Sequence, residues 1–465
     1  MKGVSFLVSI VLARLLMPED YGVIALTTVF TTLSDLLIDG GFSTALIRKE
    51  KIEESDYSCV LSISFSIAFV LYTCLFFSAP HISNYYNKPI LTAVLRVISL
   101  TLFLQAFTSV RTAVVNRNLQ FKLLSFCNAT GSLISGIIGI IAAYLGLGVW
   151  ALVIQRLLQV LISNILLFAK VKLKIKPFFD LPKIKELASF SIGVVSSSIL
   201  NYVGGSLYSI VIGKRYSVAE LGYYEKGGQL PMQASLYTFG AMSSVLLPTI
   251  ASYQNDVEKV KHIIRRIVRM TSYLIFPMMI GMLLVSKELI VFLFTAKWLP
   301  ATSIMKSFCI YYLATPFMLI NVQIFFAMGK SSLRVKTEII RLVLMAVGLG
   351  FFGFFLNWDV DGIAIVAACI AVLSSLTTFY ETRKLIDYEW IEIFKDILQP
   401  MAMTIIMVVI ILLASKVLHI ENFSNNISLL FKVSMGFVSY LVTSLVMKVP
   451  EFNEIILLLK KIKRK

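Results

Sequence analysis

VLARLLMPEDYGVIAL, residues 11–26, carries an apolar run into an arginine, Arg14, through the hydrophilic turn Pro18-Glu19-Asp20, and straight back into apolar residues. Two greasy segments joined by so short a turn read as antiparallel spans of a bilayer. A guanidinium near the end of the first then needs water, a partner or a polar path. The rest of the chain supports the bilayer. Of 465 residues, 58% are hydrophobic and only 15% charged, and mean hydropathy is +0.84, against roughly 45–50% apolar and about 25% charged in soluble domains. The composition identifies an all-α integral membrane protein.

Fourteen apolar runs follow one another, near 3–17, 22–46, 59–79, 90–111, 123–145, 149–169, 188–212, 228–250, 267–285, 303–327, 337–356, 361–380, 400–417 and 427–447. Most are long enough to cross a hydrocarbon core of about 30 Å as a helix. The first would reach only about 22 Å, so either the chain starts downstream of its natural start or this helix is completed at the interface. A signal peptide is the weaker reading, because no small-x-small cleavage pattern precedes Arg14 and the next span follows at once.

The five cysteines (Cys59, Cys74, Cys127, Cys309, Cys369) lie in or beside apolar runs with no CxxC pair, as filler does. The histidines His81, His262 and His419 fall in separate loops, without ligand spacing, so no metal site is expected. The formal charge of +17 is a matter of topology. With the N-terminus inside, the loops near 48–56, 117–122, 170–186, 252–269, 329–336, 381–396 and 448–465 hold most of the loop lysines and arginines, and the opposite loops hold few. That bias obeys the positive-inside rule and places both termini in the cytoplasm.

KVKLKIKPFFDLPKIKE, residues 170–186, has two prolines and alternating lysines but no continuous apolar run. It reads as a basic cytoplasmic linker on anionic headgroups. Local patterns recur after it. ARLLMPEDYG at 13–22 has a counterpart in GKRYSVAELGYY at 213–224, with Arg14 and Arg215 each five residues before Glu19 and Glu220. Likewise NRNLQFK at 116–122 precedes GVWA at 148–151 much as GKSSLRVK at 329–336 precedes GIA at 362–364. Two six-span lobes of like orientation are expected, at 1–169 and 187–380, followed by a helix pair at 381–447 and a basic tail at 448–465.

ARLLMPEDYGVIAL, followed by DGGFSTALIRKE at 39–50, the basic linker after six spans and AELGYY at 219–224, resembles the Wzx-type polysaccharide flippases of the multidrug/oligosaccharidyl-lipid/polysaccharide superfamily. The resemblance runs over essentially the whole chain, and its first-lobe motif is the most specific part. It implies two six-helix lobes around a central cavity that opens alternately to either side. The implied task is moving an undecaprenyl-pyrophosphate-linked oligosaccharide to the outer leaflet of a bacterial inner membrane, for O-antigen, capsule or exopolysaccharide. A polysaccharide polymerase and chain-length machinery are the implied partners, beside the membrane lipids. A short N-terminus departs from the family pattern.

Sugars and pyrophosphate must then cross an apolar slab where an ion's idealised transfer cost is on the order of 20 kcal/mol. Arginine suits a polar path through it, because its planar fork binds phosphate oxygens in pairs. Arg14, Arg111, Arg156 and Arg341 are the candidate cavity cations, each costing roughly 2.5–3.5 kcal/mol at the bilayer centre and so expected to face a cavity or a partner. Arg96 is a fifth by position. The structural alternative is snorkelling to headgroups, or for Arg14 a pairing with Glu19.

Asp35 and Asp39 share a helical face, with Gly40 and Gly41 immediately after as a point where the helix can loosen. They read either as coupling carboxylates for a proton or sodium gradient, or as structural partners, with Asp39 pairing to Arg14 or Arg48. The aromatic stretches NYYNKP at 84–89 and GYYEKGGQ at 222–229 suit stacking on sugar rings, though tyrosine is also the ordinary residue of a membrane interface.

The basic KKIKRK at 460–465 fits anionic lipid rather than nucleic acid. No GxxxxGK[ST] occurs, so ATP binding through a P-loop is not expected. The alternatives are a cation-coupled drug exporter or peptidoglycan-precursor flippase of the same superfamily, and less so a membrane polysaccharide polymerase. A polymerase would need a large outside loop or an acidic pair there, whereas Glu53, Glu54 and Asp56 fall inside.

Overall fold

The computed structural model describes residues 2–43, 46, 52–173, 179–356 and 358–454. Sixteen α-helices run through them: α1 (Lys2–Leu15), α2 (Pro18–Asp39), α3 (Glu54–Tyr86), α4 (Ile90–Ile98), α5 (Thr101–Arg117), α6 (Phe121–Tyr144), α7 (Val149–Lys170), α8 (Leu181–Arg215), α9 (Val218–Ala251), α10 (Val257–Leu284), α11 (Ser286–Phe294), α12 (Ala301–Ala327), α13 (Ser331–Gly348), α14 (Val360–Ile386), α15 (Trp390–Val417) and α16 (Asn425–Val446). No strand occurs among the described residues. Among the described residues, ten helical stretches are long and apolar enough to cross a membrane. Large side chains such as Ile405, Val409, Leu413, Leu430 and Phe437 stand exposed on α15 and α16, which suits acyl chains and not water.

Each of the fourteen predicted segments overlaps a described helix, though the second, read as 22–46, leaves its helix at Asp39, and residues 44 and 45 within it lie outside the described residues. The fourth is two helices, α4 and α5, and the eleventh continues α13 into a π-helical turn, Leu349–Phe355. The stretch 286–301, read as a loop, instead holds α11 and the 3-10 turn Ala296–Trp298. The linker read at 170–186 already becomes α8 at Leu181, and residues 174–178 within it lie outside the described residues.

By compactness the chain divides into Met1–Gly222 and Tyr223–Lys465. In the first unit α6 is a spacer with small residues on two sides. Gly131 and Gly139 let α7 approach, so that a Cβ on Gly139 would stand 2.9 Å from the Gln155 side chain. On the other side Ser132 meets Ser5 of α1 at 2.7 Å, and Gly136 lies under Val8. Val8 and Leu12 of α1, and Leu16 just after it, then bury against Ala142, Ala143, Ala151 and Leu152. Helix α2 begins with Pro18 in its first turn, where a missing N–H costs nothing. Its cap is the Met17 N–H donating to Asp20 Oδ2 at 2.9 Å. It stops at Gly40 and Gly41, both with left-handed φ, of +53° and +68°.

In the second unit α10, α12, α14 and α15 share one core, with Ile264, Val268, Ile320, Ile324, Phe379 and Tyr388 among its buried residues. One end of that core is tied by ions. Asp396 of α15, buried, accepts from Arg265 Nε at 2.8 Å, from Arg269 Nη1 at 3.2 Å and from the Tyr388 hydroxyl at 2.9 Å. Glu392 takes Lys261 at 2.8 Å and Arg265 at 3.1 Å. Beyond α16, in the segment read as a basic tail, Glu451 pairs with Arg269 at 3.2 Å and Glu454 with Arg266 at 2.9 Å. Residues 455–465, with KKIKRK, lie outside the described residues.

Breaking a buried charge pair typically costs roughly 3–5 kcal/mol. Arg265 and Arg269 are 25% and 37% exposed, so Asp396→Ala is expected to cost about 2–3 kcal/mol. A detergent melt should show a fall of several degrees, with Asp396→Asn intermediate.

Candidate functional site

Within the first unit the intramembrane charges sort into three environments. Asp35 of α2 feels the charge of Arg156 on α7. The helices pack against each other, Asp35 is largely shielded, and its Oδ1 has no hydrogen-bond donor among the described residues. Arg156 is exposed. Asp35 thus lies within electrostatic reach of Arg156, with no hydrogen bond or ion pair joining the two.

Asp39, one turn further, accepts from Ser43, and Ser43 also reaches the Ser109 carbonyl at 3.4 Å. Asp39 therefore fastens the chain across the glycine turn. A pairing of Asp39 with Arg48 falls outside the described residues.

The second environment is aromatic. Arg96 donates from Nε to the Phe76 carbonyl at 3.1 Å and lies 4.1 Å over the Phe76 ring, which takes up its charge locally. Arg111 is buried, donates from Nη1 to the Phe107 carbonyl at 3.1 Å, and lies 4.4 Å over the Phe168 ring.

The third environment is the end where α1 gives way to α2. Arg14 is exposed in the last turn of α1, where a cation opposes the helix dipole. Glu19 does not serve Arg14; its ion pair is with Lys88 at 2.5 Å. The Lys214 ammonium stands 4.1 Å over Tyr85. Tyr85 and Tyr86 pack edge to face at 5.1 Å, with Tyr86 buried, so half of NYYNKP is structural.

The recurring motifs meet at this end. Helix α9 opens with a reciprocal cap: the Ser217 N–H donates to Glu220 at 2.9 Å, and the Glu220 N–H to the Ser217 hydroxyl at 3.1 Å. Asp20 does the same work for α2, so the equivalence is Asp20 with Glu220 rather than Glu19 with Glu220. Gly22 and Gly222 then both follow by two residues. The two glycines are each other's reason: a Cβ on Gly22 would fall on the Val218 carbonyl, and one on Gly222 on the Pro18 carbonyl. Only a hydrogen fits where the two helix starts cross.

In the second unit, Arg341 is not a free-standing cation. It donates to Glu338, with Nε at 3.1 Å, and Arg334 reaches the same carboxylate at 3.1 Å. Two guanidiniums around one carboxylate leave one positive charge on this face of α13. Tyr311 of α12 lies in their field. The spacing 334, 338 and 341 puts all three on one helical face and was available in the sequence.

Tyr223 and Tyr224, read as sugar-stacking candidates, pack edge to face on Trp298 at 5.9 Å and Phe308 at 5.1 Å. A feature that sequence reasoning missed is Lys226, buried and donating to Gln229 at 2.8 Å; its neighbours come from distant segments. Among the described residues no His, Cys, Asp and Glu group could hold a metal.

Comparison with known proteins places this arrangement. The family described as "Polysaccharide biosynthesis protein" matches residues 11–303. The chain belongs to that family.

Among relatives of the chain, the succinoglycan biosynthesis transport protein ExoT of Rhizobium meliloti is 24% identical over 296 residues, 64% of this chain and 60% of that protein. The match thus spans under two thirds of ExoT. The teichuronic acid biosynthesis protein TuaB of Bacillus subtilis is 24% identical over 408 residues, 87% of this chain and 84% of that protein. Among solved structures, the inward closed conformation of the lipid II flippase MurJ superposes with a TM-score of 0.77 at 17% identity, covering 97% of each chain. That likeness is one of fold, and it is the fold that the flippase resemblance implied.

Proposed function

We propose that this polysaccharide biosynthesis protein is a transporter that moves polyprenyl-pyrophosphate-linked oligosaccharide repeat units across a bacterial inner membrane by alternating access, supplying surface polysaccharide. The observation that carries the reading is an exposed Arg156 within electrostatic reach of the shielded Asp35, whose Oδ1 has no donor among the described residues, inside a multi-pass member of this family. An exposed guanidinium at depth is costly unless something anionic visits it. A diphosphate offers paired oxygens to the fork and competes with Asp35 for it. Asp35, when released, would take a proton or a sodium ion, which ties substrate binding to an ion gradient.

Arg14 in the first unit, and the Arg334–Glu338–Arg341 face in the second, are each further candidate cations for such a substrate. The names of ExoT and TuaB, a transport protein and a polysaccharide biosynthesis protein, support the cargo class. The positive-inside bias supports cytoplasmic termini, and the recurring Asp20 and Glu220 caps support two lobes of common origin. A polymerase and chain-length machinery would consume the product.

Deleting the gene is expected to make completed lipid-linked repeats accumulate in the inner membrane while surface polymer disappears, with the intact gene restoring both. Wild-type repeat levels together with persistent surface polymer would remove the cargo from the proposal.

A further inference from the structure

No Asp or Glu occurs between Asp56 and Asp180, a stretch that contains α3 beyond its first turn and α4 to α7 entire. Arg111 sits within it. The residue is only 5% exposed, no described carboxylate interacts with it, and its Nε is buried with no hydrogen-bond partner. A guanidinium so placed has been desolvated without receiving a counter-charge, which is normally costly by several kcal/mol. Its other contacts are one carbonyl and one ring, and neither carries a negative charge.

The seam around it has the form of a lipid's resting place. Phe168, whose ring lies against the guanidinium, is itself 63% exposed. Phe107 of α5 and Leu161 and Ile165 of α7 are exposed on the same two helices. One turn deeper, Thr108 donates to Asn164 at 2.5 Å and closes the seam.

Toward the other end the three helices α5, α6 and α7 carry cations and no acid. Arg117 ends α5, Lys122 stands in the first turn of α6, and Lys170 ends α7 and is followed by Lys172. Arg111 is six residues short of Arg117, about 9 Å along a helix. The guanidinium turns back to Phe107, so a headgroup phosphate meets it by entering the seam below the interface.

We propose that the α5–α7 seam binds the headgroup of one anionic phospholipid, its phosphate on Arg111 and its acyl chains along Phe107, Leu161 and Ile165. The lipid supplies the negative charge that this part of the chain lacks. A zwitterionic headgroup, whose phosphate is already neutralised by its own ammonium, serves poorly. The site is separate from the Arg156–Asp35 pair and does not depend on the transport reading.

The test is native mass spectrometry of the full-length protein in detergent, titrated with phosphatidylglycerol or with phosphatidylcholine, beside a thermal melt. One phosphatidylglycerol should survive gas-phase activation that strips phosphatidylcholine. Arg111→Met, which keeps the volume and removes the charge, should lower its retention about ten-fold, the loss expected for a charge-assisted contact. Free of lipid, that variant should melt at or above the wild type, because an unpaired buried charge has gone, and phosphatidylglycerol should no longer raise its midpoint. Phe168→Leu should lose retention several-fold while keeping the cation.

Wild-type retention in Arg111→Met would overturn the proposal, as would an equal fall in its midpoint with and without lipid, the mark of a purely structural arginine. Stoichiometric displacement of phosphatidylglycerol by a polyprenyl diphosphate would also overturn it, by assigning the seam to the carrier lipid.

Discussion

An Arg156→Ala variant is expected to reach the membrane at normal levels and to export no surface polysaccharide, with lipid-linked repeats accumulating behind it. Two charge-assisted hydrogen bonds to a diphosphate, each worth roughly 1.5–3 kcal/mol, correspond to a loss on the order of 100-fold or more. Arg156→Lys keeps the charge and loses the fork, so it should recover only a small part of the export. The nearness of Asp35 supplies the decisive control. If Arg156 served merely to neutralise Asp35, an Asp35→Asn, Arg156→Gln double variant would export normally, since neither charge remains to be satisfied. The proposed role requires that it stay inactive, and normal export in the double variant would reduce the pair to a structural device.

The second large effect is expected at Gly222. Alanine there must place its methyl on the Pro18 carbonyl, and backbone, unlike the tip of a side chain, does not step aside. Overpacking of this kind costs typically 1–3 kcal/mol and sometimes more; with two helix starts locked against each other, about 3 kcal/mol is expected. Gly22→Ala, against the Val218 carbonyl, should match it. Gly205→Ala is the control, since nothing lies within 4 Å of its would-be Cβ. It should be neutral or gain up to about 1 kcal/mol. A melt of the three purified variants separates them, and a wild-type midpoint in Gly222→Ala would show that the crossing is looser than its geometry.

The helical plan was legible because it rests on composition along the chain: every apolar run that could span a bilayer overlaps a helix, but the second was read on to residue 46, with Gly40 and Gly41 only as a point of loosening, whereas its helix ends at Asp39. The charges were legible only as a set of candidates. Asp35 and Asp39 stand on one helical face and look equivalent in sequence, yet one meets α7 and the other turns back to Ser43 four residues on. Nothing local distinguishes them, because the partner of Asp35 lies 121 positions away. Arg341 is the opposite case, with Glu338 three residues earlier and Arg334 a turn beyond, a local pattern open to inspection. Tyr223 and Tyr224 show the limit of residue type as a guide, since their rings look like sugar platforms until Trp298 and Phe308 are found against them.

The ion pairs at the end of α10 have a temporal side. Glu454 lies 188 residues beyond Arg266, so a ribosome working at about 5–20 residues per second leaves that arginine without this carboxylate for on the order of ten to forty seconds. Arg269 waits almost as long for Glu451. During that interval α10 is inserted with bare positive charge at one end, and in the proposed orientation that charge holds the end on the side where the chain is being made. The acids that neutralise it arrive only after the choice of side is over.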